Sequence, residues 1–290
     1  MNESDALYSS LIMNCVFNVF SAYTAIMLNI LTIHAMRKTS SLPKPLKTLL
    51  LSLAVSDLGV GLLTQPLYIT KMVNPANSTS YLLPIATLVF MYSSFFSVVA
   101  ISVDRFLAVH LHLRYQELVT HKRVVAVVIS IWVFSAVFTP MWLWDSDVAE
   151  LVDIIIQSFC YIITAAVYCK IYFTVQRHAK QMQAQQIQVA QNSQMESAAR
   201  QRKSAVSTFY VYLVFLVCCF PDYCALVALL ISGQSTVLDG VFLYTRTMVF
   251  LNSSLNPVIY CWKMKHIRHA VIDILRNIRQ NFNTATAVTS

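Results

Sequence analysis

MVNPANSTSYLLPIATLVFMYSSFFSVVAISV, residues 72–103, carries no Asp, Glu, Lys or Arg. A helix rises 1.5 Å per residue, so a bilayer core takes about 20 apolar residues, and this run is long enough to cross it. Residues 6–36, 124–144 and 154–169 are equally free of charge. Three further runs are each broken once: 48–70 by Asp57, 204–238 by Asp222 and 240–262 by Arg246. At 57% hydrophobic and 12% charged over 290 residues, with a mean hydropathy of +0.60, the chain is too apolar for a soluble domain. Only 4 Gly, and no ten-residue alternation of apolar and polar residues, argue against a membrane barrel. The sequence therefore predicts an all-α membrane protein, a single domain over residues 1–290 built as a seven-transmembrane helix bundle. The spans run over about 8–36, 46–70, 79–110, 123–144, 149–177, 204–232 and 238–261, after an extracellular tail at 1–7. A short amphipathic membrane-surface helix at 263–280 and a disordered tail at 281–290 follow.

Basic residues set the orientation. Arg37, Lys38, Lys44 and Lys47 follow span one, and Arg105, Arg114, Lys122 and Arg123 lie between spans three and four. Lys170, Arg177, Lys180, Arg200, Arg202 and Lys203 bridge spans five and six; Lys263, Lys265, Arg268, Arg276 and Arg279 follow span seven. Of the 21 Lys and Arg, only Lys71 and Arg246 fall elsewhere. The positive-inside rule makes these segments cytoplasmic and the N-terminus extracellular, for a multi-pass protein of the plasma membrane. The net charge of +8 lies in juxtamembrane strips, the pattern that anionic inner-leaflet lipid attracts, so the partner it implies is the lipid bilayer and not nucleic acid. Span one follows acids rather than a basic n-region and is too long for a signal h-region, so it is expected to be its own uncleaved anchor. Sequons at Asn2 and Asn77 fall outside and are expected glycosylation sites, whereas the match at Asn252 lies within span seven. All seven cysteines map within spans or at a cytoplasmic end, which leaves none for an outer-loop disulfide.

An ionised carboxylate near mid-bilayer costs about 2.5–3.5 kcal/mol on insertion scales, so Asp57 requires compensation. Asn29, Ser94, Asn252, Ser253 and Asn256 lie at similar depth in other spans. Pro257 has no amide hydrogen to give the carbonyl of Ser253, so span seven distorts and frees an acceptor near the same place. Two readings stay open: Asp57, Ser94, Asn252, Ser253 and Asn256 hold a small cation such as sodium by oxygen ligands, or they form an interhelical hydrogen-bond network without an ion. Asp104 and Arg105 place an acid and a base side by side at the cytoplasmic end of span three. Pro221, after Cys218, Cys219 and Phe220, kinks span six so that its halves move separately. Met264, Ile267, Val271, Ile274, Leu275 and Ile278 recur at helical spacing among basic residues and define the surface helix. Residues 181–201, rich in Gln, read as extensions of spans five and six joined by a flexible polar tip.

Asn29, Leu53-Ala54-Val55-Ser56-Asp57, Asp104-Arg105-Phe106, Trp132, Tyr168, Pro221 and Asn256-Pro257-Val258-Ile259-Tyr260 supply one landmark per span, in order. On these residues the chain resembles the rhodopsin-like (class A) G-protein-coupled receptors. Leu113-Arg114-Tyr115, Lys122-Arg123-Val124 and Ile131-Trp132 resemble the melanocortin, adenosine and cannabinoid branch. Asn252-Ser253 ahead of Asn256 is similar to the adenosine receptors; a very short second outer loop is similar to the melanocortin receptors. The resemblance implies an extracellular small-molecule or peptide ligand bound among Thr87, Met91, Asp153, Gln157, Asp222, Arg246 and Phe250. It also implies a heterotrimeric G protein engaged from the cytoplasm, with Asp104, Arg105, Tyr168, Cys219, Pro221, Asn256, Pro257 and Tyr260 as the switch. No enzymatic chemistry is expected, and no cofactor beyond sodium as an allosteric modulator. Ser80 stands near the place where most of the family has a cysteine, Cys219 stands at the usual tryptophan and Phe106 at the common tyrosine. Gln201 replaces a glutamate that in relatives pairs with the span-three arginine, so Arg105 is expected to be held by Asp104 alone, with appreciable ligand-independent signalling.

The ligand is less legible. Thr87 occupies the position of the amine receptors' aspartate, which disfavours a biogenic amine, and span seven lacks the lysine of an opsin. Phe250 and Leu226 replace the histidine and asparagine of adenosine receptors, and the acidic cluster of melanocortin receptors is missing. Arg246 and Asp222 remain, with Asp153, Gln157 and Lys71 nearby: either Arg246 binds a charged or zwitterionic ligand, or it pairs with Asp222 inside the bundle. The rival reading is a seven-helix transporter or channel, but residues 1–145 and 146–290 show no internal repeat. A membrane enzyme is disfavoured because His34, His110, His112, His121, His178, His266 and His269 lie at cytoplasmic ends or in loops.

Overall fold

In hydrocarbon a backbone amide without a partner costs several kcal/mol, and a helix satisfies every such group within its own segment, so each apolar run folds as one. The computed structural model describes residues 3–40, 42–74, 82–111, 114–144, 146–185 and 192–289. Seven long helices, α1 (Glu3–Lys38), α2 (Lys44–Val73), α3 (Leu82–Leu111), α4 (His121–Trp144), α5 (Ser146–Gln185), α6 (Asn192–Ser232) and α7 (Thr236–Lys263), pack side by side. An eighth, α8 (Lys265–Thr289), follows at the cytoplasmic end. Six of them are long and apolar enough to cross a membrane by length and composition alone. α7 is 28 residues long but more polar, because it turns Asn252, Ser253, Ser254 and Asn256 into the bundle. A π-helical turn at Val60–Thr64 interrupts α2, and Gly233, at φ 73°, closes α6.

Several boundaries differ from the sequence expectation. α1 starts at Glu3, within the stretch expected as a tail, and α5 and α6 run beyond residues 177 and 204, past the expected ends of their spans, with residues 186–191 between them outside the described residues. α8 continues to Thr289, through the segment expected to be disordered. Its first turns explain why it docks: Ile267, Val271 and Ile274 are buried against α1 and α7, while Leu275 and Ile278 stay exposed as a lipid-facing edge.

Polarity is inverted relative to a soluble protein. On α1, Phe17, Phe20, Tyr23, Met27 and Ile30 are exposed, whereas Asn14, Asn18, Ser21 and Asn29 are buried. The buried face forms a polar seam with α7. Asn14 Nδ2 donates to Thr247 Oγ1 at 2.9 Å, Asn18 Nδ2 to the same oxygen at 3.0 Å, and Ser254 Oγ to the Ser21 carbonyl at 2.9 Å. α3 runs through the centre: Phe95 packs on Tyr161 of α5 and Phe215 of α6, with ring centroids 5.6 and 5.4 Å apart. Trp132 Nε1 donates to Ser52 Oγ at 3.1 Å and fastens α4 to α2.

α2 and α3 approach closely at Gly59. A Cβ added there would overlap the ring of Phe90, which packs edge-on against Trp132 at 6.2 Å. Gly59→Ala is expected to destabilise the bundle by about 1–3 kcal/mol, read as a lower melting temperature in detergent. An unchanged melting temperature would mean that the ring swings aside at no cost.

Candidate functional site

Three polar layers lie one below another inside the bundle. The outer layer is a cavity of about 70 Å³ lined by residues of α3, α5, α6 and α7, among them Thr87, Met91, Asp153, Gln157, Asp222 and Arg246. Six of the seven residues expected to meet a ligand thus share one space. Phe250 does not: it lines a smaller cavity of about 20 Å³ beneath, and its ring packs on Tyr68. Arg246 Nε lies 3.2 Å from Asp222 Oδ1, and Thr245 Oγ1 donates to the same oxygen at 3.0 Å. Of the two readings of Arg246, the geometry gives the ion pair. Asp153 accepts from Tyr92 Oη at 2.6 Å and from Gln157 Nε2 at 2.8 Å, both at Oδ1.

The middle layer surrounds Asp57, which has no exposed surface. Asn256 Nδ2 donates to its Oδ2 at 2.8 Å and Ser94 Oγ to its Oδ1 at 3.4 Å. The Ser253 carbonyl, left without an amide partner by Pro257, receives Asn29 Nδ2 at 2.9 Å, so the break in α7 becomes a tie to α1. Ser94, Asn252 and Ser253 line the 20 Å³ cavity, which has room for one water-sized occupant. Asn252 Oδ1 and Asn256 Oδ1 are buried acceptors with no donor from the protein. Acceptor oxygens beside a carboxylate suit a hard monovalent cation, and among the described residues no cluster of His, Cys, Asp and Glu suits a transition metal.

The two cavities share Met91, Phe215, Cys219 and Val249, which form a wall one side chain thick. Cys219 and Phe215 stand on α6 two and six residues before Pro221, so half of the wall belongs to the helix that the proline interrupts.

The inner layer is at the cytoplasmic end. Arg105 Nε donates to Asp104 Oδ2 at 2.9 Å, and both side chains are buried. Arg105 is not held by Asp104 alone, as the sequence suggested. Tyr115, on a single helical turn after α3, donates to Asp104 Oδ1 at 2.7 Å and accepts from Arg105 Nη2 at 3.4 Å. Burial and the Asp104 carboxylate push the Tyr115 phenol above its ordinary range, which keeps it protonated as a donor. Ser102 Oγ donates to Tyr168 Oη at 3.1 Å, and Tyr168 donates to the Thr208 carbonyl at 3.2 Å, linking α3, α5 and α6. Tyr260 is fully buried on α7. Lys263 lies 3.6 Å from the rings of both Tyr210 on α6 and Trp262 on α7, a clasp absent from the sequence reading. An aromatic residue near a juxtamembrane lysine is too common a pattern to have revealed it. The expected sites at Asn2 and Asn77, Ser80, and the Gln201 side chain lie outside what the structure describes.

Comparison with known proteins agrees with this arrangement. The family model described as 7 transmembrane receptor (rhodopsin family) matches residues 28–163 and 142–260. Adenosine receptor A3 of Ovis aries is 26% identical over 278 residues, covering 87% of this chain and 86% of its own. Adenosine receptor A2b of Mus musculus is 25% identical over 316 residues, covering 95% and 91%. These relatives are receptors and lend nothing to the transporter or channel reading. One landmark in each helix, the layered polar interior and the match across most of its length place the chain in the rhodopsin-like family of seven-helix G-protein-coupled receptors.

Proposed function

We propose that the receptor sits in the plasma membrane with its N-terminus outside, binds an extracellular ligand in the outer cavity and activates a heterotrimeric G protein through the cytoplasmic ends of α3, α5, α6 and α7. The observation that carries this reading is the shared wall of Met91, Phe215, Cys219 and Val249. A ligand that displaces it repacks the layer around Asp57 and the freed half of α6 at once. No bond is made or broken and no enzymatic role is assigned; the ligand shifts a population between two packings. A full shift from 1:99 to 99:1 takes about 5.5 kcal/mol of differential affinity.

Sodium, held by Asp57, Ser94, Ser253 and the Asn252 and Asn256 oxygens, would favour the packing in which those oxygens stay together. The carboxylate supplies the charge that the carbonyl-type oxygens lack. In the other packing Arg105 leaves Asp104 and Tyr115 and faces the cytoplasm as the G-protein dock.

Two measurements test this. Membranes bearing the wild-type chain are expected to support guanine-nucleotide exchange above that of empty membranes, and Asp57→Ala with Arg105→Ala to return it to the empty level at equal surface expression. Exchange by the double variant equal to wild type would overturn the reading. A cation–π contact is worth about 0.5–2 kcal/mol, so opening the Lys263 clasp with Tyr210→Leu is expected to raise basal exchange by roughly 2- to 30-fold. No rise at normal expression would show that the clasp holds neither packing in preference.

A further inference from the structure

The outer cavity carries an unbalanced charge. Its described lining has two carboxylates, Asp153 and Asp222, and one guanidinium, Arg246. Arg246 is already committed: its Nε faces Asp222 Oδ1 at 3.2 Å, and its guanidinium lies 5.6 Å from the Phe242 ring. Asp153 is served differently. Both of its donors, Tyr92 and Gln157, are neutral, and both reach Oδ1, at 2.6 and 2.8 Å. Among the described residues Asp153 takes part in no ion pair, and its Oδ2 receives no hydrogen bond.

The ligand charges that fit can be ranked. An anion drawn to Arg246 would add a third negative group to a space that already holds two carboxylates. A neutral ligand would strip water from Asp153 without replacing its charge. A cation supplies what the cavity lacks. Tyr92, Phe95 and Phe215 line the same space, and aromatic rings attract a cation further. At about 70 Å³ the cavity favours a compact primary ammonium over a bulky quaternary one.

We propose that the receptor's ligand is an organic cation whose ammonium group bonds Asp153 Oδ2 on α5, with its apolar body against Met91, Phe95 and Phe215. This rests on the reading of the outer cavity as the ligand site. Thr87 on α3 takes no part in the charge recognition; the anchor stands on α5, and Gln157 and Tyr92 hold its carboxylate in place from the other oxygen.

The test uses 2-phenylethylamine and its neutral N-acetyl derivative as probes, with the melting temperature of the purified full-length receptor as readout. The amine is expected to stabilise the wild type and the amide not to. Asp153→Asn, which keeps shape and removes charge, is expected to weaken the amine by about ten- to a hundred-fold, and Asp153→Glu to retain part of the affinity. Melting temperatures without probe show whether each variant is folded. Stabilisation of Asp153→Asn equal to wild type overturns the proposal, as does no stabilisation of the wild type by the amine. Equal stabilisation by amine and amide, lost in a cavity-filling Met91→Trp variant, overturns the charge inference and leaves the cavity as the ligand site. Equal stabilisation that survives Met91→Trp removes the cavity reading itself.

Discussion

Asp57 and Asn256 meet at 2.8 Å with no water-exposed surface on either, and much of the bundle's arrangement follows from that contact. A carboxylate in hydrocarbon has to be met by donors from its own protein, because lipid offers none. The donors come from α3 and α7, so the rotation of those helices about their axes is set by the need to face α2. The tie from Asn29 to the Ser253 carbonyl extends the constraint to α1, and the pairs Asn14–Thr247 and Ser21–Ser254 carry it along the α1–α7 interface. In water such contacts would compete with solvent and contribute little. Inside a membrane the competition is lipid, and apolar packing alone gives helices little reason to associate.

That constraint also explains why the layers communicate. The outer cavity and the Asp57 layer are separated by four side chains, two of them on α6 next to Pro221. A wall so thin has no room to absorb a displacement, because a close-packed interior responds by repacking rather than by compressing. Cys219 gives that wall a small side chain where a large ring would have filled it.

Much of the bundle was legible in the sequence because a membrane leaves a coarse signal: charge-free runs long enough to span it, and lone charges that demand partners. Pro257 was the sharpest case, since a proline's missing hydrogen predicts a free carbonyl, and the structure supplies Asn29 to it. Helix ends were poorly legible. α5, α6 and α8 continue into water, where Ala, Gln, Met and Arg sustain a helix by propensity and no charge pattern marks the stop. The α1–α7 seam could have been read from Asn14, Asn18, Ser21 and Asn29, whose steps of four, three and eight residues put them on one face. Phe250 lines the lower of the two stacked cavities, which depth along a helix does not reveal. Tyr115 and Tyr210 went unseen as clasps because they act across interfaces that the linear order does not bring together.

The cytoplasmic contacts of α6 suit a molecule that must change shape. Two of those described are of modest strength: Tyr168 to the Thr208 carbonyl, a hydrogen bond of about 0.5–1.5 kcal/mol net, and Lys263 of α7 on the Tyr210 ring, about 0.5–2 kcal/mol. Together they amount to a few kcal/mol, the same order as the roughly 5.5 kcal/mol that turns one population almost wholly into another. Arg105 Nε and Nη2 reach Asp104 and Tyr115, within α3 and the turn that follows it, and the described contacts of α6 include the Tyr168 hydrogen bond and the Lys263 ammonium on the Tyr210 ring. The hydrogen bond from Tyr168 to the Thr208 carbonyl breaks without stranding a charge, and when Tyr210 moves away the Lys263 ammonium keeps the Trp262 ring of its own helix.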